Sequence, residues 1–192
     1  MLNKKERIVH AAVEVFREKG IEKTKISDIV QLAGIAQGTF YLYFPSKLSV
    51  MPAIAEVMVE KTIEEVKNRV DEHASFSVQL EQMVDAIFDV TRTYREVLAM
   101  VYAGLASSEQ LKEWELVYEP FYSWMSGFLH KAKTEGTIRS TVNEVRISKL
   151  VIALVESAAE QIYLYNLKED DQARVQKSEV HSFLEHALGV CE

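Results

Sequence analysis

The chain has 192 residues, 48% of apolar type and 27% charged, the proportions of an ordinary folded, soluble protein. Seven Gly and three Pro are too few for a turn-rich all-β chain, and nothing resembles collagen or a disordered tract. The single cysteine, Cys191, excludes an internal disulfide framework, and a net charge of −7 at first argues against nucleic acid.

Dividing the charge reverses that impression. Residues 1–50 hold eight Lys or Arg against five Asp or Glu, a balance of +3, which leaves −10 for the rest. A basic module joined to an acidic body is expected, with any DNA contact confined to the first 50 residues, because the body repels phosphate. The longest run without polar side chains, Val97 to Ala106, is about half the ~20 residues a membrane span needs. The amphipathic start Met1–Arg7 lacks a secretory core, so a cytoplasmic protein with no membrane partner is expected.

Helical periodicity runs through the chain. Ile8, Ala11, Ala12, Val15 and Phe16 follow the i, i+3, i+4, i+7, i+8 spacing of one buried helix face, and Gly20 ends that helix. Thr24 is placed as the N-cap of a second, short helix, with Asp28 favoured by the dipole. Ile26, Ile29, Val30 and Ala33 point inward, and Gly34 suits a left-handed turn. A third helix spans about 36–44, with Phe40 and Phe44 on its buried side, before Pro45-Ser46 breaks and recaps the chain. A long helix from Ser46 to about Glu72 follows. Its Pro52 is expected to remove one backbone hydrogen bond, kink the helix and serve as a pivot. Further helices are expected over 76–105, 108–116, 117–135, 143–167 and 172–189. The fold class is all-α: a small N-terminal bundle, then a larger one.

Three short helices with a Gly-containing turn before the third make a helix-turn-helix, whose third helix enters the major groove. Phe40 and Phe44 are needed by the core, leaving Gln37, Thr39, Tyr41 and Tyr43 for the exposed side. Gln grips adenine with two hydrogen bonds, and Thr offers a hydroxyl or a methyl. Gly38 lets the backbone come close. Lys25 and Lys47, with a mobile Lys4, Lys5 and Arg7, would neutralise phosphates.

Residues 5–48 resemble the DNA-binding domain of the TetR family of bacterial transcriptional regulators. The likeness rests on Ile8–Phe16, Gly20, Thr24, Ile29–Gly34 and above all the run Gly38-Thr39-Phe40-Tyr41-Leu42-Tyr43-Phe44-Pro45-Ser46-Lys47. The resemblance implies a homodimer on a near-palindromic double-stranded operator, usually a repressor, released by a small-molecule effector. It places Gln37, Gly38, Thr39 and Tyr41 where DNA is read, and Thr24, Lys25, Tyr43 and Lys47 where the backbone is held. Ala36, where the family often carries Ser or Thr, offers only its N–H. Residues 1–47 thus read as a helix-turn-helix DNA-binding domain and 48–192 as a helical bundle for effector binding and dimerisation.

In the family the last two helices pair across a two-fold axis. Here Leu150–Val155 is apolar all round its helix, which fits one face on the subunit's own core and the other on a partner, the alternative being a fully internal core helix. The expected interface is Val151, Leu154, Ala158 and Ile162 with Val180, Phe183, Leu184 and Ala187. Aromatics and methionines gather between 100 and 128, so Met100, Trp114, Tyr118, Phe121, Tyr122 and Met125 are expected to line a pocket for an apolar or aromatic effector. Glu156 and Glu160 are expected as solvated rim carboxylates, or as anchors for a cation. No enzyme, cofactor or metal site is expected. No His lies three residues after a Glu, as a di-iron carboxylate protein requires, and no phosphate loop appears. The alternative, a helical protein-interaction adaptor, does not explain the positive charge beside Gln37 and Thr39.

Overall fold

A computed structural model describes residues 2–105, 111–165 and 170–190, with backbone alone for 102–105, 111–115 and 170. Among these residues there are helices and no strand. The chain runs through α1 (Lys4–Lys19), α2 (Ile26–Ala33), α3 (Gln37–Tyr43), α4 (Met51–Arg69), α5 (Phe76–Thr93), α6 (Arg95–Leu105), α7 (Leu111–Thr134), α8 (Glu144–Glu160) and α9 (Asp170–Leu188).

The start is helical rather than mobile. Asn3 accepts from the Glu6 N–H at 3.0 Å while the Glu6 carboxylate accepts from the Asn3 N–H at 2.8 Å, a capping box that fixes Lys4, Lys5 and Arg7 in α1. Gly20 closes α1 with φ 71, and Gly34 closes α2 in the left-handed region with φ 64, as the sequence predicts. The cap of α2 is displaced by one residue. Lys25 occupies it, with its N–H donating to the Asp28 carboxylate at 2.9 Å. The Thr24 hydroxyl instead donates to the Gly20 carbonyl at 2.7 Å, inside the fold.

Pro52 makes no interior kink. After Ser46 and Ser49 cap one another, a 3-10 turn spans Leu48–Val50, and the Met51 N–H donates to the Leu48 carbonyl. The carbonyl that Pro52 would orphan is thus satisfied one residue early. Pro52 sits second in α4, where a missing N–H costs nothing. The interior proline is Pro120, within a single α7 that the sequence divides in two. Likewise the expected helix 76–105 breaks before Arg95, and 143–167 ends at Glu160 in a turn of π-helix, Gln161–Tyr165.

The chain forms two compact units, residues 1–59 with 94–117, and 60–93 with 118–192. The first therefore gathers more than residues 1–47, because α6 returns to pack on α1 through the buried Val97 and Val101. In the second, α5, α8 and α9 pack on one another around Leu80, Met83, Phe88, Val155 and Leu184. Arg69 at the end of α4 binds Glu65 and Asp89 at 2.5 and 2.6 Å, and those carboxylates raise its pKa further.

Candidate nucleic-acid interface and effector region

α3 is anchored by one side chain. Phe40 is fully buried, with edge-on contact to Tyr41 at 5.6 Å and a tilted contact to Phe44 at 5.8 Å between ring centroids. The opposite side is open: Ala36, Gln37, Gly38, Tyr41 and Tyr43 are exposed and Thr39 is half-buried. All six predicted positions on this helix therefore share one accessible segment. Ala36 caps α3 without a side-chain hydrogen bond.

The flanking cations behave differently. The Lys47 ammonium donates to the carbonyls of Ile21 and Thr24, the latter at 2.8 Å. Arg7 donates to the carbonyls of Ala33 and Gly34. The sequence predicts phosphate contacts for these residues; in this structure they close the two loops around α2. The reason is physical: loop carbonyls lacking a helical partner need donors, and a long cation reaches them. Thr24 is buried, and its hydroxyl donates to the Gly20 carbonyl. Lys25 remains exposed. Asp28 pairs with Lys19 at 3.1 Å. Its pKa is lowered, first by the Lys25 N–H and then by Lys19.

In the second unit the predicted effector residues do not form one wall. Tyr118, Phe121 and Met125 are buried along one face of α7. Met100 belongs to the first unit, and the Trp114 side chain lies outside the described residues. The Tyr118 hydroxyl lies 3.2 and 3.1 Å from the two Glu156 carboxylate oxygens. Its ring is 5.7 Å from that of half-buried Tyr122, over which Lys149 places its ammonium at 4.9 Å. Glu156 is thus no solvated rim residue. The residue keeps some exposed surface, but its carboxyl is enclosed, and burial pushes its pKa up to about 8, with Glu160 adding repulsion and Tyr118 opposing. In the absence of a nearby cation, burial thus favours the protonated form of Glu156 near neutral pH.

Open space lies elsewhere on α7. Pro120, Trp124, Phe128 and Lys131 line a cleft of about 660 Å³ with Val70 and Gln79, on a face that adjoins the buried one: Trp124 falls about 60° round the helix from Phe121, with the two rings 6.3 Å apart. Trp124 stacks on Phe128 at 5.5 Å and 10°, and Phe128 on Phe76 at 5.1 Å and 29°. The sequence identifies the aromatic helix but not its open face, since both faces carry apolar residues at helical spacing.

The predicted dimer residues divide too. Val151, Ala158, Ile162, Val180 and Leu184 are already buried within the single chain. Leu154 is half-buried, while Phe183 and Ala187 are exposed. The exposed row continues through Leu150 at 64% and Phe183 at 61% exposure, with Ala153 between them in the chain. Charge pattern and periodicity mark both helices as apolar but do not say which side faces inward.

An exposed seven-residue helix held by Phe40 and preceded by the Gly34 turn, joined to an acidic helical body, defines a helix-turn-helix DNA-binding regulator. Comparison with known proteins makes the class specific. Residues 8–54 match the model for bacterial regulatory proteins of the tetR family, and 80–188 match the tetracyclin repressor-like C-terminal domain. The chain belongs to the TetR family. It is 38% identical to the uncharacterized HTH-type transcriptional regulator YvdT of Bacillus subtilis over 97% of this chain and 95% of that one. It is 24% identical to the fatty acid metabolism regulator protein of the same organism over 76% of each. The fold is similar to that of the regulator FadR from Bacillus subtilis in complex with stearoyl-CoA, with TM-score 0.70 and 20% identity over 93% of this chain and 96% of that chain. The protein is therefore a helix-turn-helix transcriptional regulator of that family. No described helix is long and apolar enough to cross a membrane.

Proposed function

We propose that the protein is a homodimeric cytoplasmic repressor, which holds a near-palindromic operator through α3 of each subunit and releases it on binding a small apolar or aromatic effector. The observation that carries the reading is the accessible side of α3, where Gln37, Gly38 and Tyr41 stand exposed on a helix pinned by Phe40. Two such helices must sit about 34–36 Å apart to enter successive major grooves. Gln37 and Thr39 then read bases, Tyr41, Tyr43 and Lys25 meet the backbone, and Ala36 offers its N–H. The exposed row Leu150, Ala153, Leu154, Phe183 and Ala187 supplies an isologous apolar face for the second subunit.

The effector is assigned to the cleft beside Trp124 and Phe128, whose 660 Å³ falls in the range of small-ligand sites. Stacked rings suit an apolar or aromatic body, and Lys67 and Lys131 in the lining suit an acidic end. An effector preferring the state with displaced heads lowers DNA affinity by its differential binding.

Gel retardation with genomic fragments tests the reading. A sequence-preferring complex that binds as a dimer supports it; absence of any such complex at low salt favours the adaptor. Ultracentrifugation of Phe183→Asp should show monomers where the parent protein sediments as a dimer.

A further inference from the structure

One side chain on α3 has no partner in the fold and no role so far. Leu42 is 83% exposed, more than any other large apolar residue among those described. At 100° per residue, Gly38 and Leu42 each fall about 20° from the line opposite Phe40. They form the outermost ridge of the helix. Gln37 and Tyr41 stand on one flank of that ridge, and Thr39 and Tyr43 on the other.

Gly38 leaves this ridge without a side chain that the fold itself would accept. Its φ is not positive, so no backbone strain demands glycine there. A Cβ built on it would meet no atom within 4 Å, so no internal packing demands it either. Glycine within a helix is unfavourable relative to alanine. A notch that the fold does not need fits a surface brought close from outside. Leu42 lies one turn along, about 40° round the helix from it.

The major-groove floor offers one apolar group, the C5-methyl of thymine. We propose that Leu42 is a specificity residue: seated low by the Gly38 notch, its isobutyl group packs on a thymine methyl at one fixed position of each half-site. Water is driven from both apolar surfaces, and a cytosine or purine at that position offers no methyl to replace it. The flanking Gln37 and Thr39 remain free to hydrogen-bond neighbouring base edges. The inference rests on the operator reading above, and the experiment separates the two.

The full-length protein is titrated against its preferred duplex, with each thymine changed in turn to uracil, which removes only the methyl. The expected result is one thymine per half-site whose methyl is worth about fourfold in affinity, the value of one buried methyl group. In Leu42→Ala that sensitivity disappears and selection relaxes at that base alone; Leu42→Met, still apolar, keeps it. A residue this exposed should leave the melting temperature unchanged on truncation, which the same preparations check. If no thymine is sensitive, or if Leu42→Ala weakens thymine and uracil duplexes by one common factor, Leu42 touches sugar or nothing and the inference fails alone. If no sequence-preferring complex forms, it fails together with the operator reading.

Discussion

The residues around α2 and α3 and the α5–α8–α9 unit use charge in different proportions, although Lys19 pairs with Asp28 in the first and Lys133 donates to the Val142 carbonyl in the second. In the first, long cations bind backbone: Arg7 holds the carbonyls of Ala33 and Gly34, and Lys47 those of Ile21 and Thr24. In the second, cations bind carboxylates, as in Arg69 with Asp89 at 2.6 Å and Lys177 with Asp85 at 2.8 Å. Short helices leave many unpaired loop carbonyls per residue, and long helices leave few. A positive balance in a small helical unit therefore measures its loops as well as its affinity for DNA.

The sharpest test of the contrast is in the second unit. Glu156 has a folded pKa of about 8 against an ordinary 4.5, so between those values the native state binds more protons than the unfolded one. Stability then falls as pH rises from about 5 to 8, by on the order of 3 kcal/mol. Glu156→Gln should remove this slope in thermal melts; parallel wild-type and variant curves would show that the carboxyl is solvated after all.

Lys47→Ala should cost about 2 kcal/mol of stability in the first unit, because two carbonyls lose a charged donor. The salt dependence of operator binding should change by less than the one unit expected of a lost phosphate contact. A full unit with unchanged melting would return Lys47 to the phosphate list and undo the contrast. Gln37→Ala should cost about 1–2 kcal/mol on the preferred duplex and relax one base pair. A uniform loss on all sequences would make Gln37 a backbone contact. The smallest effect belongs to Gly38→Ala: up to about 1 kcal/mol of added stability, with weaker operator binding. Opposite signs in melting and retardation would mark a position kept for an incoming surface; matching signs would mark an ordinary helix residue.

Much of this was legible in one dimension. The buried faces of α1 and α2, the glycine turns at 20 and 34 and the Phe40 anchor follow from local rules of period and backbone freedom, which need no knowledge of distant residues. The run from Gly38 to Lys47 likewise pointed to the family. What misled was burial. Val151 and Leu150 are neighbours of similar chemistry, yet one enters the core and the other stays 64% exposed. On α7, Phe121 packs inward and Trp124 borders a cleft. Periodicity ranks such residues as apolar and stops there.

The sequence by itself determined the all-helical class, the first three helices with their glycine stops, and the family, because these depend on residues within one or two turns of each other. Only the tertiary structure decided that Lys47 and Arg7 close loops, that Pro52 begins a helix instead of bending one, that Glu156 is enclosed, and which sides of α7, α8 and α9 remain open. Apart from the Pro52 turn, which Ser46 and Ser49 settle within six residues, those outcomes depend on which group arrives from more than about twenty residues away, and no local pattern carries that information.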